Sequence, residues 1–117
     1  MPEVAWEEIL TKREMERFGG DAGAYLSKAI TDLAKSGRPF WLGSTTDPDA
    51  CCREQKYEAC ETLYILLETN SLEVIEKTEK GFIAWAKSEF GDQVFNEGPG
   101  NDRVMTEIGP FYFFMIL

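Results

Sequence analysis

The chain has 117 residues, of which 44% are apolar and 28% are charged, a balance typical of a folded protein with one hydrophobic core. Its 21 acidic and 12 basic residues give a formal net charge of −9, which argues against nucleic acid or an anionic membrane as a direct partner, because either would repel it. Histidine is absent, and this excludes Ser-His-Asp triads and histidine-containing zinc sites. We therefore predict one domain over residues 1–117, with no metal and no other cofactor.

The first half of the chain predicts two helices and a strand. Residues 3–18 have helical spacing of apolar residues, but the apolar face shifts, so we expect a bent or broken helix with a kink near Thr11. Residues 22–36 form the second predicted helix, because their apolar residues share one side and Gly37 follows as a stop. Residues 39–43 are aromatic, lie between turn residues and predict a strand.

The segment 47–69 is predicted to be a helix and holds the main functional clue. Asp47 is a residue type that caps helices, Pro48 suits the first helical position, and Asp49 places negative charge in the first turn. At about 100° per residue, the apolar residues that follow cover one face of this helix. The opposite face then carries four glutamates, and neither lysine nor arginine lies among them.

This acidic stripe is the predicted partner-binding surface. One apolar residue falls within it and two tyrosines lie at its edge, so charge would steer a partner and apolar contacts would anchor it. The alternative is a merely solvated face. The predicted partner-binding residues are Glu54, Tyr57, Glu58, Glu61, Tyr64, Ile65 and Glu68.

The distribution of charge favours the functional interpretation. Residues 47–79 hold nine acidic and three basic residues, so most of the negative excess lies in this third of the chain. The next predicted helix, residues 71–90, differs because its exposed acids stand four residues before lysines and can form ion pairs. These pairs are Glu73 with Lys77 and Glu76 with Lys80.

The three cysteines, Cys51, Cys52 and Cys60, do not suggest a disulfide framework or a zinc site. Their number is odd, two are adjacent, and no C-x-x-C pair occurs. We expect reduced thiols in a cytoplasmic protein, with Cys60 as a small core residue. The N-terminal residues have neither the basic nor the apolar region of a secretory signal, and the longest apolar run is far shorter than the roughly 20 residues of a membrane span.

The last third of the chain predicts strands at residues 93–96, 103–108 and 111–117. The final segment is an unbroken apolar run, which must be covered on both faces, so we place it as a central strand. The predicted fold class is α+β, with about four helices packed on one face of a small, mostly antiparallel sheet.

The predicted function is non-catalytic binding. Paired carboxylates on a convex helix cannot exclude water, which argues against an enzyme. A row of carboxylates can instead occupy a basic surface in place of phosphates, so we predict an inhibitor of a basic, nucleic-acid-handling protein such as a nuclease. Phage anti-defence proteins of the anti-CRISPR kind, nucleic-acid mimics and toxin-immunity proteins use this logic, and the comparison is one of surface chemistry.

Two other functions stay open on the sequence alone. One is a small ligand-binding or catalytic domain with a pocket between helices and sheet, lined by Trp41, Trp85 or Tyr25. The other is a structural subunit of a homo-oligomer, with a homodimer burying the shifting apolar face of residues 4–18 and the apolar C-terminus.

Overall fold

The computed structural model describes residues 2–5, 22–96 and 108–117, and the strands among them form one mixed four-stranded sheet. The strands are β1 (Glu3–Ala5), β2 (Trp41–Thr45), β3 (Thr62–Thr69) and β4 (Phe111–Ile116), in the spatial order β1-β3-β4-β2. β4 pairs antiparallel with both β2 and β3, whereas β1 pairs parallel with β3.

Three α-helices accompany the sheet within the described ranges: α1 (Ala22–Ala34), α2 (Pro48–Cys52) and α3 (Leu72–Phe90). The α+β class is confirmed, and two of the three strand pairings are antiparallel. The expected number of about four helices is slightly too high for the described residues. None of their helices has both the length and the apolar character needed to cross a membrane.

The position of β4 confirms the prediction of a central strand covered on both faces. Phe113 and Met115 are buried in the cluster that also contains residues of α1 and α3. Phe114 and Ile116 point the other way, into a second cluster with residues of α2. Helical cover therefore lies on both faces of the sheet, not on one as expected. Both faces are covered because the strand offers apolar side chains in both directions.

The predicted helix over residues 47–69 is wrong beyond its first turn and a half. α2 ends at Cys52, a short 3₁₀ turn follows at Gln55–Tyr57, and the remainder is the strand β3. β3 lies between β1 and β4, so it has backbone partners on both sides and apolar contacts on both faces. A helix would instead have placed Ile65 in water, where its side chain gains nothing.

A β-bulge explains why the helical pattern was misleading. The register between β3 and β4 shifts between Ile65 and Leu67, so Leu66 is an extra residue on β3. Leu66 and Leu67 consequently both lie in the cluster with α1 and α3, as neighbours on one side of a helix would. An alternating strand without the bulge would have sent them to opposite faces.

The other predicted elements are partly confirmed. Helices 22–36 and 71–90 occur as α1 and α3, and strand 39–43 occurs two residues later as β2. The strand expected at 93–96 is instead a 3₁₀ turn, Gly91–Gln93, followed by an isolated bridge between Phe40 and Val94. Residues 3–5 form a strand, not a helix. The rest of the first predicted helix, and the predicted strand 103–108 except Ile108, lie outside the described residues.

Candidate partner-binding surface

Residues 47–61, which we call the cover layer, lie against the face of the sheet opposite α1 and α3. The layer begins with Asp47, whose Oδ1 accepts a hydrogen bond from the Ala50 backbone N–H at 3.1 Å, as the sequence predicts for a helix cap. Tight turns then follow one another, since the Tyr57 N–H donates to the Glu54 carbonyl and the Cys60 N–H donates to the Tyr57 carbonyl. The result is a compact layer held by its own backbone hydrogen bonds.

The inner side of the cover layer is apolar and packs on the sheet. Cys51, Cys52, Tyr57 and Cys60 are buried in one cluster with residues of β3 and β4. This confirms Cys60 as a core residue. These contacts attach the layer to the sheet, so its outer side chains project from a fixed base.

The predicted stripe does not form as one surface, because its residues belong to different elements. Glu58 and Glu61 are exposed and Glu54 is half-buried, and all three lie on the cover layer. Tyr57 is only 4% exposed and Ile65 only 1%, so the placement of these two side chains on an exposed face was wrong.

Tyr64 and Glu68, the last two residues of the predicted stripe, lie on β3 and point to opposite faces. Tyr64 packs against the cluster under α1 and α3. Glu68 pairs across the strands with Tyr112 of β4 and accepts a hydrogen bond from its phenol. Burial, the charge of Glu68 and this hydrogen bond together raise the pKa of Tyr112.

The outer side of the cover layer is predominantly acidic. Its two basic residues are Arg53 and Lys56, and its five acidic residues are Asp47, Asp49, Glu54, Glu58 and Glu61. Lys56 Nζ lies 3.7 Å from Glu54 Oε2, and Arg38, from the loop before β2, lies 2.9 Å from Glu61. Asp49 and Glu58 are exposed and have no ion-pair partner in the part of the chain that the structure describes.

The outer face of α3 differs from the cover layer, as the sequence indicates. Lys77 Nζ lies 2.8 Å from Glu73 Oε1, one helical turn away. The hydrogen bond and the charge of each partner lower the pKa of Glu73 and raise the pKa of Lys77. This ion pair neutralises part of the α3 surface. The cover layer also contains an ion pair, Lys56 with Glu54, but its five acidic and two basic residues leave a formal excess of three negative charges.

A row of four aromatic rings that the sequence did not predict includes Tyr57 of the cover layer and extends beyond it. The rings belong to residues far apart in the chain, and each contacts the next edge to face. Only the tertiary structure brings them together, although the aromatic segment 39–43 was a signal that this part of the chain is apolar. The row consists of Phe95, Trp41, Tyr57 and Phe114.

The buried thiols of the cover layer are poorly suited to nucleophilic chemistry. Burial raises the pKa of Cys52, and the carboxylate of Asp49 raises it further. Burial also raises the pKa of Cys60, although Arg38 acts in the opposite direction. Within residues 2–5, 22–96 and 108–117, no group of three or more cysteine, aspartate or glutamate side chains is placed to hold a metal ion.

Comparisons of the chain with protein-family models, with curated proteins and with solved structures find no match. The chemistry of the protein's own surface is therefore the guide to its function.

Proposed function

We propose that this protein binds and inhibits a basic, nucleic-acid-handling protein, and that the cover layer is the surface that contacts it. The observation that carries the proposal is the acidic outer side of residues 47–61, in which Asp49 and Glu58 lack a cationic partner within the described chain. Such carboxylates attract a cationic surface at long range and can occupy positions where that surface would hold phosphates.

The fixed base of the cover layer supports an inhibitor. The layer is pinned to the sheet by Cys51, Cys52 and Tyr57, and its first turn is capped by Asp47. Binding then requires little ordering of the backbone, and less of the interaction energy is lost to conformational entropy. A flexible acidic tail would lack this advantage.

The proposed action is occupation of a surface, without catalysis. The exposed acidic side chains of the layer lie in water. There, one carboxylate interacts only weakly with the next, so a pair of them is poorly suited to act as catalytic acid and base. A nuclease or another nucleic-acid-binding protein is the natural target, because its phosphate-binding surface is permanently basic. Anti-defence proteins and toxin-immunity proteins are the classes of protein to which such an inhibitor would belong.

The proposal is tested by capture from a lysate of the source organism followed by competitive elution. Proteins retained at low salt should be released by excess duplex DNA as well as by high salt, because DNA and the cover layer compete for one basic surface. A retained protein that binds DNA and this chain simultaneously would contradict the proposal.

Two charge reversals and a matched control locate the surface. Asp49→Lys and Glu58→Lys should each weaken capture, mainly by slowing association, since they remove attraction and add repulsion. Glu89→Lys makes the same change on α3, at an exposed residue outside the cover layer, and should have little effect. Equal losses for all three variants would point to net charge alone and would refute the assignment to the cover layer.

A further inference from the structure

The row of aromatic rings runs from the surface into the core. The Phe95 and Trp41 ring centroids are 4.8 Å apart at an interplanar angle of 81°, and Trp41 and Tyr57 are 5.4 Å apart at 81°. Tyr57 in turn meets Phe114 at 6.1 Å and 88°. Phe95 is 44% exposed and Trp41 is half-buried, whereas Phe114 is 2% exposed. The exposed end of the row thus rests on two buried rings, Tyr57 and Phe114.

The backbone also holds Phe95 in place. The Phe95 N–H donates to the Phe40 carbonyl at 2.8 Å, and the preceding residue, Val94, bridges to Phe40. On the other side, the Asn96 carboxamide is hydrogen-bonded to the backbone of Leu42. The exposed phenyl ring therefore projects from a fixed position beside the edge strand β2, and a partner that contacts it orders little additional backbone.

The protein already contains a cation placed between a ring of this row and a carboxylate. Lys56 Nζ lies 5.0 Å from the centroid of the Tyr57 ring and 3.7 Å from Glu54 Oε2. The ring face and the carboxylate both attract the ammonium group. Half-buried Trp41 and exposed Phe95 come next in the same row, and Tyr57 joins them to the acidic cover layer.

We propose that Trp41 and Phe95 form an anchor for an arginine side chain of the basic partner. This inference rests on the proposed function of the cover layer. Two rings at right angles present a ring face beside a ring edge, and a planar guanidinium can stack on such a face. The compact, strongly hydrated ammonium of lysine fits this arrangement less well. The side chain that occupies this anchor is therefore arginine.

The test uses fluorescent octa-arginine and octa-lysine peptides, whose binding is measured by anisotropy at constant salt. The parent protein should bind octa-arginine more tightly by up to about five-fold, because the full value of one exposed cation–π contact is the upper limit of the difference between the two peptides. Phe95→Ala should remove this preference by weakening octa-arginine binding more than octa-lysine binding. Phe95→Leu, which keeps apolar bulk without a ring, should also remove it. Leu72→Ala, which truncates an exposed apolar side chain on α3, should preserve it.

The outcomes separate this anchor from the cover layer itself. If Phe95→Ala and Phe95→Leu retain the preference for arginine while Glu58→Lys weakens both peptides, the anchor is refuted and the acidic surface stands. If Glu58→Lys weakens neither peptide more than Glu89→Lys does, the proposed function of the cover layer fails as well. Circular dichroism of each variant shows whether the fold is kept, and Phe95→Leu serves as the test if Phe95→Ala does not fold.

Discussion

The side chain of Asn96 takes the place of a neighbouring strand for Leu42 on the sheet edge. Its Nδ2 donates to the Leu42 carbonyl at 2.7 Å, and its Oδ1 accepts from the Leu42 N–H at 2.9 Å. β2 is the outer strand on this side, and the Phe40 N–H and carbonyl are likewise bonded to the segment 93–96. Backbone groups that would otherwise invite pairing with another chain are thereby satisfied. The same contacts fix Phe95 beside Trp41.

Asn96→Ala should lower the free energy of unfolding by about 1–3 kcal/mol, because it leaves both backbone groups of Leu42 without these partners. Asn96→Asp keeps the acceptor for the Leu42 N–H but places a carboxylate oxygen against the Leu42 carbonyl, where Nδ2 donates at 2.7 Å, so its loss at neutral pH should be at least as large. Urea unfolding followed by circular dichroism measures both. If Asn96→Ala matches the parent, the carboxamide does not secure this edge.

Two glycine substitutions should change stability in opposite directions. A Cβ at Gly43 would lie 2.7 Å from Cζ of Phe114, whose ring is buried, so Gly43→Ala should cost about 1–3 kcal/mol through overpacking. A Cβ at Gly81, within α3, meets nothing within 4 Å, and Gly81→Ala should stabilise by about 1 kcal/mol through helix propensity. The midpoint temperature of thermal unfolding should fall for Gly43→Ala and rise for Gly81→Ala. A stabilising Gly43→Ala would contradict the packing of β2 against Phe114.

The three cysteine thiols should react slowly in the folded protein. All three are buried, and burial raises the pKa values of Cys52 and Cys60, so little thiolate is present at pH 8. A disulfide reagent such as Ellman's reagent should therefore label the native protein much more slowly than the protein in 6 M guanidinium chloride, where three equivalents react. Rapid labelling of one native thiol would show that the cover layer opens readily.

Stability should fall at alkaline pH, partly through Tyr112. The pKa of Tyr112 is raised in the folded state by burial and by Glu68, so the unfolded chain loses this proton first as the pH rises. The stabilisation is complete below the usual tyrosine pKa of about 10 and is lost as the pH rises through the higher folded value.

Tyr112→Phe removes the proton that Tyr112 releases and should flatten the decline in stability above about pH 10. Glu68→Gln removes the negative charge and should bring the folded pKa of Tyr112 closer to its usual value. Absorbance titration at 295 nm, read as the difference between each protein and its Tyr112→Phe counterpart, isolates this phenol. An unchanged difference curve in Glu68→Gln would contradict the contact between the two side chains.

The sequence predicted the elements whose signals are local. The apolar periodicity of residues 22–36 and 71–90 specified α1 and α3, and the two-sided apolar run at the C-terminus specified β4 as a central strand. The capping signal at Asp47 was also correct, but a cap indicates where a helix starts and not where it ends. β3 is held by β1 and β4, which are distant in the chain, so its strand state depends on contacts that a local pattern does not contain.

The candidate surface was predictable only in its composition. Glu54, Glu58 and Glu61 lie on the cover layer, as an acid-rich segment between apolar residues suggests. Ile65 was assigned to the surface only because a helix was assumed. The contact between Trp41 and Phe95 joins residues more than fifty positions apart, and no spacing rule applies to such a pair.

The most direct test of the cover layer as the recognition surface is a nuclear magnetic resonance titration of the ¹⁵N-labelled protein with octa-arginine. If the cover layer is the recognition surface, backbone amide shifts should concentrate in residues 47–61 and near Trp41 and Phe95, while the exposed face of α3 should change little. Shifts that centre on α3, or that spread evenly over all acidic residues, would refute this assignment and leave the acidic side chains of the cover layer as a solvated surface.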